Sequence, residues 1–160
     1  MNNEEHKKPF QKIDFKKKPH VMVIEARFYE DIGDMQAEGA LEVLAAQGAT
    51  FERFTVPGAL EIPAAVVMGE KSGKFDAYVA LGCVIRGATT HYEIVAGESS
   101  RALMDLSVAG GLCIGNGILT VENMDQALER ADKARLNKGG GAAQAALEMV
   151  AIRERLKAAA

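Results

Sequence analysis

Apolar and polar positions along this chain switch repeatedly between two periods. Val21-Met22-Val23-Ile24-Glu25-Ala26 is a short apolar run rich in β-branched residues, which predicts a first strand. From about Asp34 to Gln47 the spacing becomes helical, with Met35, Leu41 and Leu44 among the apolar positions, and Gly48 suits the residue just past a helix end. Phe51 to Val56 alternates as a second strand. Pro57-Gly58 marks a turn, and a second helix is predicted from Ala59 to about Lys71, with Pro63 in its first turn, where a missing N–H is tolerated. Ala77 to Ile85 is almost wholly apolar, the pattern of a central parallel strand buried on both faces. A third helix follows from about Thr90 to Val108, then a fourth strand from Leu112 to Thr120. Asn123 is a natural N-cap for a helix from about Met124 to Ala134. After Asn137-Lys138-Gly139-Gly140-Gly141 the last helix runs to about Leu156.

Strands and helices in series imply an α/β fold: a parallel sheet with right-handed crossovers and helices on both faces, a three-layer sandwich. No internal repeat or second domain is visible, so residues 19–160 form a single domain preceded by an arm, residues 1–18, flexible or used in assembly. In such a sheet the functional crevice opens at the carboxyl ends of the strands. The segments that fall there are Arg27-Phe28-Tyr29, Val56 to Glu61, Arg86 to His91, and Thr120-Val121-Glu122-Asn123.

Charge refines this picture. The net charge is −3, yet residues 1–19 hold six Lys against Glu4, Glu5 and Asp14, so the body of the chain is acidic. An acidic body argues against nucleic acid as a partner. The first twenty residues lack an apolar core of the secretory type, and no run approaches the ~20 apolar residues of a membrane span. Cys83 and Cys113 have no C-x-x-C partner and lie in apolar runs, as buried free thiols of a cytoplasmic protein would. His6, His20 and His91 form no metal-ligand pattern.

The candidate chemistry concentrates in Gly82-Cys83-Val84-Ile85-Arg86-Gly87-Ala88-Thr89-Thr90-His91-Tyr92-Glu93. A buried strand here gives way to small residues, two hydroxyls and an arginine at the start of a helix. Free N–H groups and the positive end of the helix dipole suit an anion. His91, in the first turn, lies within reach of whatever the anion is attached to.

Four ordered segments closely resemble lumazine synthase: Val56-Pro57-Gly58-Ala59-Leu60-Glu61-Ile62-Pro63, Leu81 to Tyr92, Gly117-Ile118-Leu119-Thr120-Val121-Glu122-Asn123, and Asn137-Lys138-Gly139. The resemblance implies condensation of 5-amino-6-(D-ribitylamino)uracil with 3,4-dihydroxy-2-butanone 4-phosphate to 6,7-dimethyl-8-ribityllumazine, phosphate and water, in riboflavin biosynthesis. It implies no metal and no redox cofactor. It also implies a four-stranded parallel sheet in flavodoxin-like order, a homopentamer with sites between subunits, and riboflavin synthase as a pathway partner. By the same resemblance Phe28 stacks on the pyrimidine ring and Glu61 binds ribityl hydroxyls beside backbone groups of Ala59 and Leu60. Backbone groups near Val84 and Ile85, with the Lys138 amine, read the ring's polar edge. Gly87, Ala88, Thr89 and Arg130 hold the phosphate, and His91 transfers protons.

Two positions depart from the family pattern. Asn116 stands where many relatives carry an aromatic residue at the substrate site, and Tyr29 where many carry Asn. These leave a second reading, a non-catalytic flavin- or lumazine-binding paralogue. A flavodoxin-like electron carrier is disfavoured, because Glu25 to Glu30 offers no Gly- or Ser/Thr-rich phosphate turn. The segment Ala131 to Lys138 lacks the small, Gly-bearing form of relatives that build sixty-subunit shells, which favours a free pentamer over a decamer or shell.

Overall fold

A computed structural model describes residues 9–159 of the chain. Four strands, β1 (His20–Ala26), β2 (Thr50–Val56), β3 (Ala77–Ile85) and β4 (Ile114–Val121), form one parallel sheet in the order β2-β1-β3-β4. Five helices connect and cover them: α1 (Glu30–Ala46), α2 (Ile62–Ser72), α3 (His91–Gly110), α4 (Met124–Ala131) and α5 (Lys138–Ala159). This is the expected three-layer α/β fold in flavodoxin-like order.

Side chains of a strand alternate between the two faces of the sheet, and the paired register keeps that alternation in phase between neighbours. Val23 pairs with Val79 and Ile24 with Ala80. Val21, Val23, Val79 and Leu81 therefore share one face, packed against Ala40 and Leu44 of α1 and Ala143 and Leu147 of α5. Met22, Ile24, Tyr78 and Ala80 share the other, packed against Ile62 and Val66 of α2 and Leu103 of α3. Burying each Val, Leu, Ile or Met side chain among these contributes about 1.5–3 kcal/mol. A third cluster joins Ile32, Leu119 and Val121 to Ala127 and Ala131 of α4.

Several boundaries differ from the sequence expectation, each for a local reason. α1 begins at Glu30 rather than Asp34, with Glu30 and Asp31 in its first turn, where the helix dipole favours carboxylates, and with Ile32 buried. The second helix does not start at Ala59: Ala59–Glu61 form a single 3₁₀ turn, and α2 follows with Pro63 at its N-terminus. α4 stops at Ala131 rather than Ala134, because Asp132 is extended and its carboxylate accepts the Ala134 N–H at 2.8 Å, a local turn that competes with the helix.

The largest difference concerns Gly139-Gly140-Gly141, expected before the last helix and found inside α5. A Cβ on Gly139 would collide with the carbonyl oxygen of Gln36 in α1, and one on Gly140 with the Asn137 side chain. Gly139 serves close helix packing here, an advantage that outweighs its low helix propensity. Gly140 leaves room for the Asn137 side chain, whereas a Cβ on Gly141 would meet nothing within 4 Å. Asn137 takes a left-handed φ of 46° and its Oδ1 accepts the Gly140 N–H at 3.1 Å, so it starts the helix that carries Lys138.

Of the expected arm, residues 1–8 lie outside the described residues. Ile13 and Phe15 pack against the core face formed by α1 and α5. Among the described residues no helix is long and apolar enough to cross a membrane.

Candidate functional site

The strand order reverses between β1 and β3: the chain moves outward to β2, then returns past β1 to β3 and β4. At such a switch point the connections leave in opposite directions and a crevice opens at the strands' carboxyl ends. Phe28, two residues beyond β1, stands over this crevice and is 77% exposed. Its ring meets the Tyr29 ring edge-on, with centroids 4.9 Å apart and planes at 76°. Tyr29 in turn is half-buried against the cluster of Ile32 and Val121, so one aromatic anchors the turn while the other is presented outward. Arg27 fixes the same turn by pairing with Asp34, with Glu25 at 3.0 Å and with Glu30 at 3.2 Å. Those carboxylates, Asp34 foremost, raise its pKa above the ordinary arginine value against the opposing effect of burial.

Phe28, Glu61, Val84, Ile85 and His91 line one cavity of about 400 Å³, together with Ala59 and Leu60. The 3₁₀ turn brings Ala59, Leu60 and Glu61 to it from the end of β2, β3 contributes Val84 and Ile85, and His91 is the first residue of α3. The Glu61 side chain makes no capping bond to α2, so its carboxylate is not spent on the helix end. The His91 N–H donates to Thr89 Oγ1 at 3.3 Å, and the hydroxyl at this helix start is therefore Thr89's rather than Thr90's. Gly87, Ala88 and Thr89 form the exposed loop between Ile85 and His91, outside the cavity lining. Cys83 also borders this cavity, and burial pushes its thiol up to about 11.

Asn116, Arg130 and Lys138 line a different cavity, of about 410 Å³. Asn123 accepts the Gln126 N–H at 2.9 Å and so starts α4, which carries Arg130; Asn137 starts α5, which carries Lys138. Glycines set the depth of this site. A Cβ on Gly115 would overlap the Ala142 carbonyl, and one on Gly117 would press on Ala142 Cβ, so α5 lies directly on β4. Burial first, and then the nearby Arg130 charge, push the Lys138 ammonium below the ordinary lysine range. Two cations sharing one cavity favour an anionic occupant. Asn116 points elsewhere with its acceptor, since its Oδ1 takes the Ile118 N–H at 3.0 Å.

Within one chain, then, most of the predicted residues fall into two groups, with Gly87, Ala88 and Thr89 in neither lining. Phe28, Ala59, Leu60, Glu61, Val84, Ile85 and His91 come together, as do Asn116, Arg130 and Lys138, but among the described residues the two linings share no member. Sequence reasoning missed Asn137 as the residue that orients Lys138, and missed Gly115 and Gly117 as the contact surface for α5. The first has a legible signal, an Asn before a glycine-rich helix start. The second has none without knowledge of which helix covers β4.

The family model for 6,7-dimethyl-8-ribityllumazine synthase matches residues 18–154. The chain is 57% identical over 143 residues to the 6,7-dimethyl-8-ribityllumazine synthase of Bartonella tribocorum, covering 89% of this chain and 95% of that protein. It is 58% identical over 135 residues to that of Sphingopyxis alaskensis, covering 84% and 95%. To that of Methylorubrum extorquens it is 62% identical over 138 residues, covering 83% and 80%.

Proposed function

The chain belongs to the 6,7-dimethyl-8-ribityllumazine synthase family, and from that premise we propose that it condenses 5-amino-6-(D-ribitylamino)uracil with 3,4-dihydroxy-2-butanone 4-phosphate to the lumazine, phosphate and water. The observation that carries this reading is the convergence of an exposed aromatic ring, an uncommitted carboxylate and a histidine on one cavity at the switch point of the sheet. Phe28 stacks on the pyrimidine, Glu61 with the backbone of Ala59 and Leu60 binds the ribityl chain, and backbone groups of Val84 and Ile85 meet the ring edge. His91 moves protons as the amine adds to the ketone, as phosphate leaves and as the second ring closes. Arg130 with Gly87, Ala88 and Thr89 binds the phosphate, and Lys138 and Asn116 face the heterocycle.

Most of the catalysis in this reading is the holding together of two substrates, which can supply roughly 7–11 kcal/mol of barrier reduction. His91 adds general acid–base catalysis, typically ~10²–10⁴-fold.

The same geometry supports an assembly of several copies. Among the described residues the Phe28 and His91 cavity has no Arg or Lys in its lining and the Arg130 and Lys138 cavity has no His, which supports a complete site that takes one group from each of two copies. α3 presents Ile94, Met104 and Val108 to solvent, an apolar surface suited to a neighbouring subunit. We read the assembly as a pentamer in the cytoplasm, the compartment that suits the free thiols of Cys83 and Cys113, with riboflavin synthase consuming the product. The non-catalytic alternative has no observation in its favour.

The test is direct. Purified protein mixed with both substrates is followed by lumazine absorbance and fluorescence. A rate well above the protein-free background, falling sharply in Arg130→Ala, establishes the synthase; background rate with intact riboflavin binding sinks it.

A further inference from the structure

The cavity beside Arg130 and Lys138 has one wall that neither sheet nor helix provides. Phe10, 42% exposed, supplies it and is the sole aromatic residue of that lining among the described residues. The backbone that places it is held firmly. Gln47 Nε2 and Gln144 Nε2 both donate to the Gln11 carbonyl, at 2.7 and 3.2 Å, and the Ile13 N–H donates to Gln47 Oε1 at 2.9 Å. Gln47 and Gln144 are themselves buried and bonded to each other at 2.9 Å. Buried amides need such partners, and these find them in the residues that directly follow Phe10. Lys12 Nζ adds a bond to the Ala46 carbonyl at 2.7 Å.

We propose that Phe10 is a substrate-contacting residue of the half-site built on Arg130 and Lys138, forming an apolar wall against the flat heterocycle. This rests on the function proposed above. Aromatic rings favour offset or edge contacts with other flat rings, a gain beyond the area they bury. Asn116, in the same lining, cannot provide that wall, being polar and bonded to its own strand. Phe10 also borders a second cavity, of about 470 Å³, toward Val43 and Lys133, so a purely structural role must be distinguished from contact with substrate.

The experiment compares the full chain with Phe10→Ala and Phe10→Trp in steady-state kinetics, each substrate varied in turn, alongside thermal unfolding. Phe10→Ala is expected to raise KM for the ribitylaminouracil roughly 3- to 10-fold, leaving KM for the butanone phosphate and the unfolding midpoint unchanged, while Phe10→Trp retains the wild-type KM. The wild-type chain has no Trp, so in Phe10→Trp the indole is the sole one, and its emission is expected to change saturably as the ribitylaminouracil is added. Unchanged KM in Phe10→Ala overturns the proposal, as does a lower unfolding midpoint accompanied by equal losses for both substrates. Were the wild-type chain inactive, the proposed function would fail, and the indole titration alone would still decide whether position 10 touches the uracil.

Discussion

The guanidinium of Arg86 lies 4.2 Å from the ring centroid of Tyr92, and the same group donates to Glu122 at 2.8 Å and to Glu93. One side chain thus ties the end of β3 to the first turn of α3 and to the end of β4, with His91 beside Tyr92 in that turn. It also neutralises two carboxylates next to the loop assigned to the phosphate. The pairing, Glu93 foremost, raises the Arg86 pKa above its ordinary value, and Arg86 in turn lowers that of Glu93.

Arg86→Ala therefore leaves Glu93 and Glu122 uncompensated near an anion. KM for the butanone phosphate is expected to rise several-fold more than KM for the uracil, and the excess to shrink at high salt. Adding Glu93→Gln and Glu122→Gln restores much of the loss. Equal effects on both substrates, with no recovery in the triple variant, would point to loop geometry alone.

His91→Ala removes proton transfer and leaves both substrate cavities otherwise intact. Its kcat is expected to fall by ~10²–10⁴-fold yet stay above the uncatalysed rate, since proximity survives. Single-turnover lumazine formation measures this. A residual rate no higher than that of Arg130→Ala gives the histidine a larger share than the present assignment.

Glu25 is 2% exposed, and both its oxygens are engaged: Oε2 accepts Arg53 Nε at 2.8 Å, and Oε1 accepts Arg53 Nη2 at 2.9 Å and Arg27 Nη1 at 3.0 Å. Breaking a buried pair costs about 3–5 kcal/mol. Because the Arg53 side chain is 46% exposed, Glu25→Ala is expected near the lower end, about 3 kcal/mol, in urea unfolding at fixed protein concentration. A loss under about 1 kcal/mol would show that Arg27 is held by Glu30 and Asp34 alone.

The Cys83 thiol, raised by burial from an ordinary 9.0 to about 11, holds its proton longer in the folded chain than in the unfolded one. Folding stability from this group is complete below pH 9 and declines as pH climbs through about 11, because the unfolded chain ionises first. Native-state alkylation by iodoacetamide is expected to be slow at neutral pH and to accelerate ~10-fold per pH unit toward that value. Rapid labelling at pH 7 would contradict it. Cys83→Ala should flatten the alkaline decline.

The chain's own periodicity carried the fold a long way. The apolar run of Ala77 to Ile85 could only be a buried central strand, and Val56-Pro57-Gly58 and Asn123 placed a turn and a helix start within a residue or two. Glycine misled where its role was tertiary. Gly139 to Gly141 read as loop residues because helix propensity is a local quantity, whereas the need for Gly139 comes from Gln36 on a distant helix.

The sequence by itself determined the elements and their parallel arrangement, because each depends on neighbours within a few positions, while the family resemblance, not local pattern, singled out Phe28, Glu61, Arg130 and Lys138. Only the tertiary structure decided that these residues divide between two cavities, that Phe10 closes one of them, and that Arg86 braces the loop between β3 and α3. Such facts depend on which helix lands on which strand and how closely, a matter of packing between segments up to 138 residues apart, as in the bond from the Lys16 N–H to Glu154. No window along the chain contains that information.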